Sequence, residues 1–312
     1  MTTLPCAISN FLQARIGIVS PKTARTNKLY LNALVEFFGP EQTLEHLTLK
    51  HLRTWRAWLF QRETKYASET TWRPQENGKL SVYTVHGHIR MCRQFFRWLC
   101  EEQLLTTNPA ARLELPPLPK EPPKNITDAD IQKMLNAAHA SPRDYALIWF
   151  LRDTGCRHGG AAYARLRDLD LETGVVLVRE KGRGGQHVAR PAFLKPEALA
   201  AVRAWLAERP DARHLDGAPV TDALFVNSKH PHGALTPGAM YRRIKDLAKA
   251  AGVYDHSNPH AFRHGLARRM LENGAPLGLV SRVLGHSDIG VTNDFYGVYV
   301  NRELQEGHAR YA

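Results

Sequence analysis

The sequence of 312 residues predicts a mainly α-helical chain with one small antiparallel β-sheet, built as two domains. Three observations support this prediction. A proline-rich segment, residues 113–124, separates two parts of the chain. Apolar residues in the first part, residues 1–112, recur at three- and four-residue spacing, which is typical of amphipathic helices. The second part, residues 125–312, adds two strand-like segments joined by a glycine-rich turn.

The first part predicts three helices, over residues 23–38, 48–62 and 81–104, with Ser81 as a candidate cap of the third. The polar stretch 67–79 between the last two helices predicts a loop. Basic residues on or beside these helices would suit DNA binding but also ordinary solvated surfaces. They include Lys22, Lys28, Lys50, Arg53, Arg56, Arg90, Arg93 and Arg97.

The segment 113–124 contains five prolines, which prevent a continuing helix and favour an extended spacer. Asn108-Pro109 marks the end of the helix before it. We therefore expect a domain boundary here.

The second part predicts a mixture of elements. Thr127 with Asp130 resembles a capping box at the start of one helix, and Gly155 would end the next. Strands are predicted at 175–179 and 188–193, with a further short strand at 224–226. Four more helices are predicted from their proline starts and glycine or polar ends: 196–208, 236–252, 258–274 and 276–284.

The charge balance indicates a polyanionic partner. Lys and Arg number 42 against 30 Asp and Glu, which gives a formal net charge of +12. Such a chain suits a nucleic acid or an anionic membrane surface. The membrane is disfavoured, because no run of about 18 apolar residues occurs and the basic residues are scattered. The N-terminus lacks a basic region followed by an apolar stretch, so we expect a cytoplasmic protein without a secretion signal.

Four cysteines, Cys6, Cys92, Cys100 and Cys156, show no CxxC pairing. In a chain of this size they predict reduced thiols and neither a disulfide framework nor a zinc site. We predict no metal and no cofactor.

The second part offers several groups suited to a phosphodiester. Two arginines can clamp nonbridging oxygens, two histidines can move protons near neutral pH, and a lysine and a tyrosine complete the set. The candidate catalytic residues are Arg157, Lys181, His260, Arg263, His286 and Tyr296.

These residues lie in short motifs: Thr154-Gly-Cys-Arg157, His260-Ala-Phe-Arg263-His264, Leu284-Gly-His286-Ser287 and Tyr296. Their order and separations together are specific, although each motif alone is weak. On them the chain resembles the tyrosine recombinase family (phage integrase, Xer-like site-specific recombinases). The resemblance covers nearly the whole chain. It implies that residues 1–112 form the helical, SAM-like core-binding domain on DNA, and that residues 125–312 form the catalytic domain with its C-terminal tail.

The resemblance also implies a mechanism. Tyr296 would attack the scissile phosphate to give a 3′-phosphotyrosyl link and a free 5′-hydroxyl. Arg157 and Arg263 would stabilise the transition state, and Lys181 would protonate the leaving oxygen. His260 would accept the tyrosine proton and His286 would donate a hydrogen bond to the phosphate. The covalent link retains the ester bond energy, so the reverse step requires no ATP. A metal ion would not be needed either, because the arginines and the lysine supply the positive charge that two Mg²⁺ ions supply in many nucleases.

Two departures from the family pattern stand out. Members usually carry an acidic residue three positions after the first arginine, whereas this chain has Gly160, which suggests a compensating group or lower activity. The interval from His286 to Tyr296 is one residue longer than usual, so Tyr299 is an alternative nucleophile. Arg183 likewise rivals Lys181 in the same turn.

The motifs favour the first of three functions, and the other two are alternatives to it. The first is a site-specific recombinase that integrates, excises or resolves mobile or circular DNA. The second is a DNA-binding protein of the same fold that has lost cleavage, favoured by Gly160 and the stretched interval. The third is a type IB topoisomerase or telomere resolvase. The resemblance implies double-stranded DNA as partner and a homo-oligomer, a dimer on one site and a tetramer in synapsis. The sequence leaves open whether an accessory protein takes part.

Overall fold

The structure is a computed structural model that describes residues 2–65, 78–119, 125–181, 187–210, 221–229, 232–255 and 258–285, with only the backbone at Lys181 and His187. The chain divides into two compact units, Met1–Lys120 and Glu121–Ala312. This division lies within the predicted linker, residues 113–124. Each unit has its own apolar core.

The described part of the first unit contains four α-helices: α1 (Leu4–Ala14), α2 (Pro21–Phe38), α3 (Leu49–Gln61) and α4 (Val82–Glu101). The Ser81 hydroxyl accepts a hydrogen bond from the amide of Thr84, so Ser81 caps α4 as predicted. The three predicted helices are confirmed with shifted ends, whereas α1 was not predicted.

The core of the first unit is rich in aromatic side chains. Trp55 of α3 is fully buried and donates its indole N–H to the carbonyl of Ala33 in α2, at 3.0 Å. Phe11 of α1 packs edge-on against Phe95 and Trp98 of α4. The buried apolar faces of the four helices therefore hold this unit together.

The start of the predicted linker packs on the first unit. Leu113 is buried in that unit's core. The carboxylate of the next residue, Glu114, forms ion pairs with Arg53 and Arg56 of α3. Residues 113 and 114 therefore belong structurally to the first unit.

The second unit is mostly helical: α5 (Asp128–Ala138), α6 (Pro142–Thr154), α7 (His158–Ala162), α8 (Pro196–Glu208), α9 (Pro237–Ala250), α10 (Pro259–Glu272) and α11 (Leu277–Leu284). Thr127 caps α5 through the amide of Asp130, and Gly155 ends α6 in the left-handed region with a φ of 54°. Both features agree with the sequence prediction. The short helix α7 was not predicted.

One antiparallel pair forms the sheet of this unit, β1 (Val175–Lys181) and β2 (His187–Phe193). Val176, Val178 and Ala192 are buried against the helices, while Leu177 and Phe193 on the opposite face are exposed. The predicted strand at 224–226 is wrong, since Ala223 and Val226 make only isolated β-bridges. The mainly helical fold with one small antiparallel sheet is confirmed.

None of the helices within the described ranges is both long enough and apolar enough to cross a bilayer.

Candidate active site

Arg157 lies where α6 gives way to α7. The chain turns at Gly155, and Arg157 then occupies the N-cap position of α7 in an extended conformation. Its guanidinium donates to Oε2 of Glu180 at 2.9 Å, and its backbone N–H donates to Oε1 of the same carboxylate at 2.6 Å. The Arg157 side chain is 36% exposed, so it is both anchored and accessible to solvent.

Arg263 lies on α10, whose N-terminus is capped by Asn258. Its side chain is only 3% exposed. The guanidinium donates to the carbonyl of Gly155 at 3.2 Å and to the carbonyl of Leu284 at the end of α11. It also lies 3.5 Å from Oε2 of Glu180. Arg157 and Arg263 are far apart in the sequence. Both nevertheless contact the same carboxylate oxygen, Oε2 of Glu180.

His260 lies one turn before Arg263 on α10, and its environment favours the neutral imidazole. Loss of hydration around the ring lowers the pKa of His260, although the residue keeps an exposed surface, and the positive charges of Arg157 and Arg263 lower the pKa further. Burial, together with the nearby His260 and Arg263, lowers the pKa of His264 to about 4. Both rings are therefore uncharged at neutral pH.

Glu180 at the end of β1 is buried beneath these arginines, and the sequence analysis did not select it. Burial alone would raise the pKa of Glu180. The charges of Arg263 and Arg190 and the amide of Arg157 outweigh that effect, so the pKa lies below its ordinary value. The carboxylate is therefore ionised at neutral pH.

Arg190 of β2 is a second residue that the sequence analysis missed. Its guanidinium donates to the carbonyl of Thr154 at 3.0 Å and to the carbonyl of Val283 at 2.7 Å, and its Nε lies 3.6 Å from Oε2 of Glu180. Arg190 thus connects the ends of α6 and α11 to the sheet.

A pattern in the sequence could have found Glu180. Side chains alternate between the two faces of a strand, so Glu180 shares a face with the buried Val176 and Val178. A carboxylate that continues an apolar series inward needs a charged partner, and Arg190 on the paired strand provides one.

The structure does not describe the side chains of the other predicted catalytic residues. Lys181 is the last residue of β1, and only its backbone is described. His286, Tyr296, the alternative nucleophile Tyr299 and the rival Arg183 lie outside the described residues. The structure thus brings together Arg157, His260 and Arg263.

Across the ranges that the structure covers, no group of three or more His, Cys, Asp or Glu residues is arranged to hold a metal ion.

The first unit carries a basic cleft on α4, of about 420 Å³. Arg90, Arg93 and Arg97 line it together with Asn108 and Leu115. Arginines three and four positions apart share one face of a helix. We name this surface the α4 arginine cleft.

Comparisons with known proteins agree with the fold. The profile of the phage integrase family matches residues 124–302. Tyrosine recombinase XerC of Xanthomonas campestris pv. campestris (strain B100) is 31% identical over 229 residues, which cover 72% of this chain and 66% of that protein. The matched segment thus spans just under two thirds of that relative. Tyrosine recombinase XerD of Vibrio cholerae serotype O1 is 28% identical over 289 residues, which cover 90% of this chain and 88% of the relative.

Solved structures share the fold. The integrase of transposon Tn1549 in complex with a circular intermediate DNA has a TM-score of 0.74 at 18% identity, covering 98% of this chain and 99% of that one. A lambda integrase dimer bound to a COC′ core site has a TM-score of 0.68 at 17% identity, covering 92% and 96%. The chain belongs to the phage integrase family of tyrosine recombinases.

Proposed function

We propose that this chain is a site-specific DNA recombinase that cleaves and rejoins strands of double-stranded DNA through a 3′-phosphotyrosyl intermediate. The observation that carries the proposal is the convergence of Arg157 and Arg263 on one oxygen of Glu180, with His260 beside them. Membership of the tyrosine recombinase family supports it.

In the proposed reaction the phenolic oxygen of Tyr296 attacks the scissile phosphorus, and the bond from phosphorus to the 5′-oxygen breaks. His260 accepts the phenolic proton, and Lys181 donates a proton to the leaving 5′-oxygen. Arg157 and Arg263 supply positive charge to the pentacoordinate phosphate, and His286 donates a hydrogen bond to it. The 5′-hydroxyl of another strand then attacks the phosphotyrosine and releases Tyr296.

The electrostatics of His260 suit a proton acceptor. A tyrosine has an ordinary pKa of about 10, so its attack at neutral pH needs a base. Because the pKa of His260 is lowered, its imidazole keeps a free lone pair at neutral pH.

Duplex DNA is the proposed partner, and the α4 arginine cleft is the proposed contact of the first unit with the phosphate backbone. We propose a homo-oligomer, a dimer on one DNA site and a tetramer when two sites pair. The proposed location is the cytoplasm, where the DNA of a mobile or circular element would be the substrate.

The test is capture of the covalent intermediate. A pool of duplexes of randomised sequence, each nicked so that the cleaved fragment diffuses away, is incubated with the full chain and denatured in detergent. We expect a protein–DNA adduct with the wild-type chain and none with Tyr296→Phe. Sequencing of the trapped DNA identifies the site, and mass spectrometry of the peptide identifies the tyrosine.

An adduct that persists in Tyr296→Phe and disappears in Tyr299→Phe would transfer the nucleophile to Tyr299. A wild-type chain that forms no adduct with any duplex would overturn the proposal in favour of DNA binding alone. Relaxation of a plasmid with two sites, without any recombinant product, would indicate a topoisomerase instead.

A further inference from the structure

Glu180 is the only carboxylate among the described residues that forms ion pairs with Arg157, Arg190 and Arg263. It accepts from the backbone and the side chain of Arg157 with both of its oxygens. A carboxylate held by two hydrogen bonds from the same residue fixes that residue's orientation as well as its charge. The position of the Arg157 guanidinium therefore depends on Glu180.

The space that Glu180 occupies is available because residue 160 is glycine. An ideal Cβ built on Gly160 would lie 3.3 Å from Cγ of Glu180, 2.7 Å from Cγ1 of Val178 and 3.1 Å from Cβ of Cys156. A side chain on residue 160 and the present side chains of residues 178 and 180 would therefore compete for one volume.

Side chains at positions 160 and 180 can also reach the same region beneath the arginines. A short acidic side chain on residue 160 would begin 3.3 Å from the methylene that carries the Glu180 carboxylate. The two positions thus offer alternative origins for one carboxylate beneath the arginines.

We propose that Glu180 is the positioning residue of the active site. Its carboxylate, which extends from β1, holds the guanidinium groups of Arg157 and Arg263 in position. It takes the role that an acidic residue at position 160 would otherwise have. This inference rests on the proposed recombinase function. It identifies Glu180 as the group that compensates for the absence of an acidic side chain at residue 160. Arg190 keeps the same carboxylate in place from the paired strand.

The experiment compares Glu180→Gln and Glu180→Asp with the wild-type chain. Gln keeps the shape and removes the charge, whereas Asp keeps the charge and withdraws it by one methylene. The rate of the first cleavage is measured in a single turnover on the nicked duplex recovered with the wild-type chain, alongside DNA affinity and thermal unfolding. We expect the cleavage rate to fall roughly 10- to 100-fold in both variants, because a guanidinium misplaced by about 1 Å loses much of its effect, while DNA affinity stays unchanged.

Asp144 provides a matched control. It is a second buried carboxylate in the same unit, paired with Arg143 at 3.0 Å and with Arg243. Within the described ranges, neither of these partners is one of the site residues. Asp144→Asn removes a comparable buried charge. We expect it to lower the unfolding temperature and to leave the cleavage rate of the folded protein unchanged. A loss of cleavage in Asp144→Asn equal to that in Glu180→Gln would overturn the inference, since general destabilisation would explain both.

Crystal structures of the wild-type chain and of Glu180→Gln make the inference testable apart from activity. We expect the guanidinium groups of Arg157 and Arg263 to move when the carboxylate is lost. If the wild-type chain forms an adduct and Glu180→Gln cleaves equally fast, the positioning role is wrong and the proposed function stands. If the wild-type chain forms no adduct, the proposed function fails, and unmoved guanidinium groups in Glu180→Gln would overturn the positioning role as well.

A variant that moves the carboxylate from residue 180 to residue 160 tests directly whether the two residues are alternative origins for it. Gly160→Asp with Glu180→Gly moves the carboxylate from β1 to α7, and Val178→Ala removes the methyl group that would collide with the new side chain. We expect this triple variant to cleave at least ten times faster than Val178→Ala with Glu180→Gly alone. Equal rates in the two folded variants would overturn the claim that residues 160 and 180 are alternative origins for one carboxylate.

Discussion

Gly160 is constrained by space and not by its backbone. It lies inside α7 and is buried, and it does not have a positive φ. A Cβ there would lie 2.7 Å from Cγ1 of Val178, a branched side chain that cannot simply swing away. The neighbouring Gly159 differs, since its Cβ would meet only Cε2 of Tyr163, at 3.9 Å.

These two glycines give opposite predictions for alanine. Replacement of a helical glycine by alanine gains roughly 0.5–1 kcal/mol of stability from the backbone. At Gly160 we expect overpacking, which costs about 1–3 kcal/mol, to exceed this gain, so Gly160→Ala lowers the free energy of unfolding by about 1 kcal/mol or more. Denaturation in urea measures the change.

Gly159→Ala is the control within the same helix turn, and we expect it to be neutral or stabilising. If Gly160→Ala were as stable as Gly159→Ala, the close contact with Val178 and Glu180 would not limit residue 160.

Residue types and their order were enough to select Arg157, His260 and Arg263 from the sequence, whereas the alternation along β1 indicates only that Glu180 is buried and does not show which arginines it contacts. The three motif residues have side chains whose chemistry suits a phosphate. A glutamate beside a glycine-rich turn has many ordinary roles, and only the pairing of β1 with β2 brings it beneath arginines from α10 and from the start of α7. Contacts between residues far apart in sequence are what the local pattern does not contain.

At the scale of elements, the starts and ends of helices were predicted best, from capping residues and from proline and glycine. Asn258 before Pro259 accepts a hydrogen bond from the amide of Ala261 and starts α10, the helix that presents both His260 and Arg263. Gly285 ends α11 in the left-handed region. These signals work because they act within one turn of chain.

Two helices were not predicted and one strand was predicted wrongly, and each case can be examined in physical terms. Helix α1 buries Leu4, Ala7, Ile8 and Phe11 at helical spacing, so the pattern of this helix is present in the sequence. Helix α7 contains two glycines in five residues, so its propensity is poor and tertiary packing stabilises it. The apolar run at 224–226 resembled a strand because buried segments of any type are apolar.

Packing between α2 and α4 predicts a dependence of stability on pH. His88 of α4 is buried, its Nδ1 lies 3.1 Å from the carbonyl of Tyr30 in α2, and its ring packs against that tyrosine. Burial lowers the pKa of His88 to about 4. The folded-state pKa is therefore below the ordinary value of about 6.5, so the stability that neutral His88 provides is complete above that value and is lost as the pH falls toward 4.

We expect the free energy of unfolding to drop by roughly 2 kcal/mol from His88 alone between about pH 7.5 and about pH 5. Urea denaturation at both pH values measures it, with His88→Gln as the control. His264 has a similarly lowered pKa, but it is present in both proteins and cancels in the comparison. A variant that keeps the full pH dependence of the wild-type chain would show that His88 is not its source.

At the scale of the whole molecule, the net charge of +12 indicated a polyanionic partner without saying where it binds. In the first unit the structure distinguishes two groups of arginines, one on α3 and one on α4. Arg53 and Arg56 are paired with Glu114, whereas Arg90, Arg93 and Arg97 line the α4 arginine cleft. The second group is therefore the better candidate for phosphate contacts, although Arg97 also lies 3.6 Å from Glu101.

The α4 arginine cleft predicts how the affinity for DNA depends on salt. Each phosphate neutralised by a basic side chain adds about 0.9 to the slope of log affinity against log salt concentration. We expect replacement of all three cleft arginines by Gln to weaken binding to a labelled duplex and to reduce this slope by up to roughly 2.7, as measured by fluorescence anisotropy between about 50 and 200 mM salt. Replacement of the same three residues by Lys keeps the charge, so we expect that variant to retain the wild-type slope even if its affinity changes. A slope that is unchanged in the Gln variant would place the phosphate contacts of the first unit on another of its surfaces.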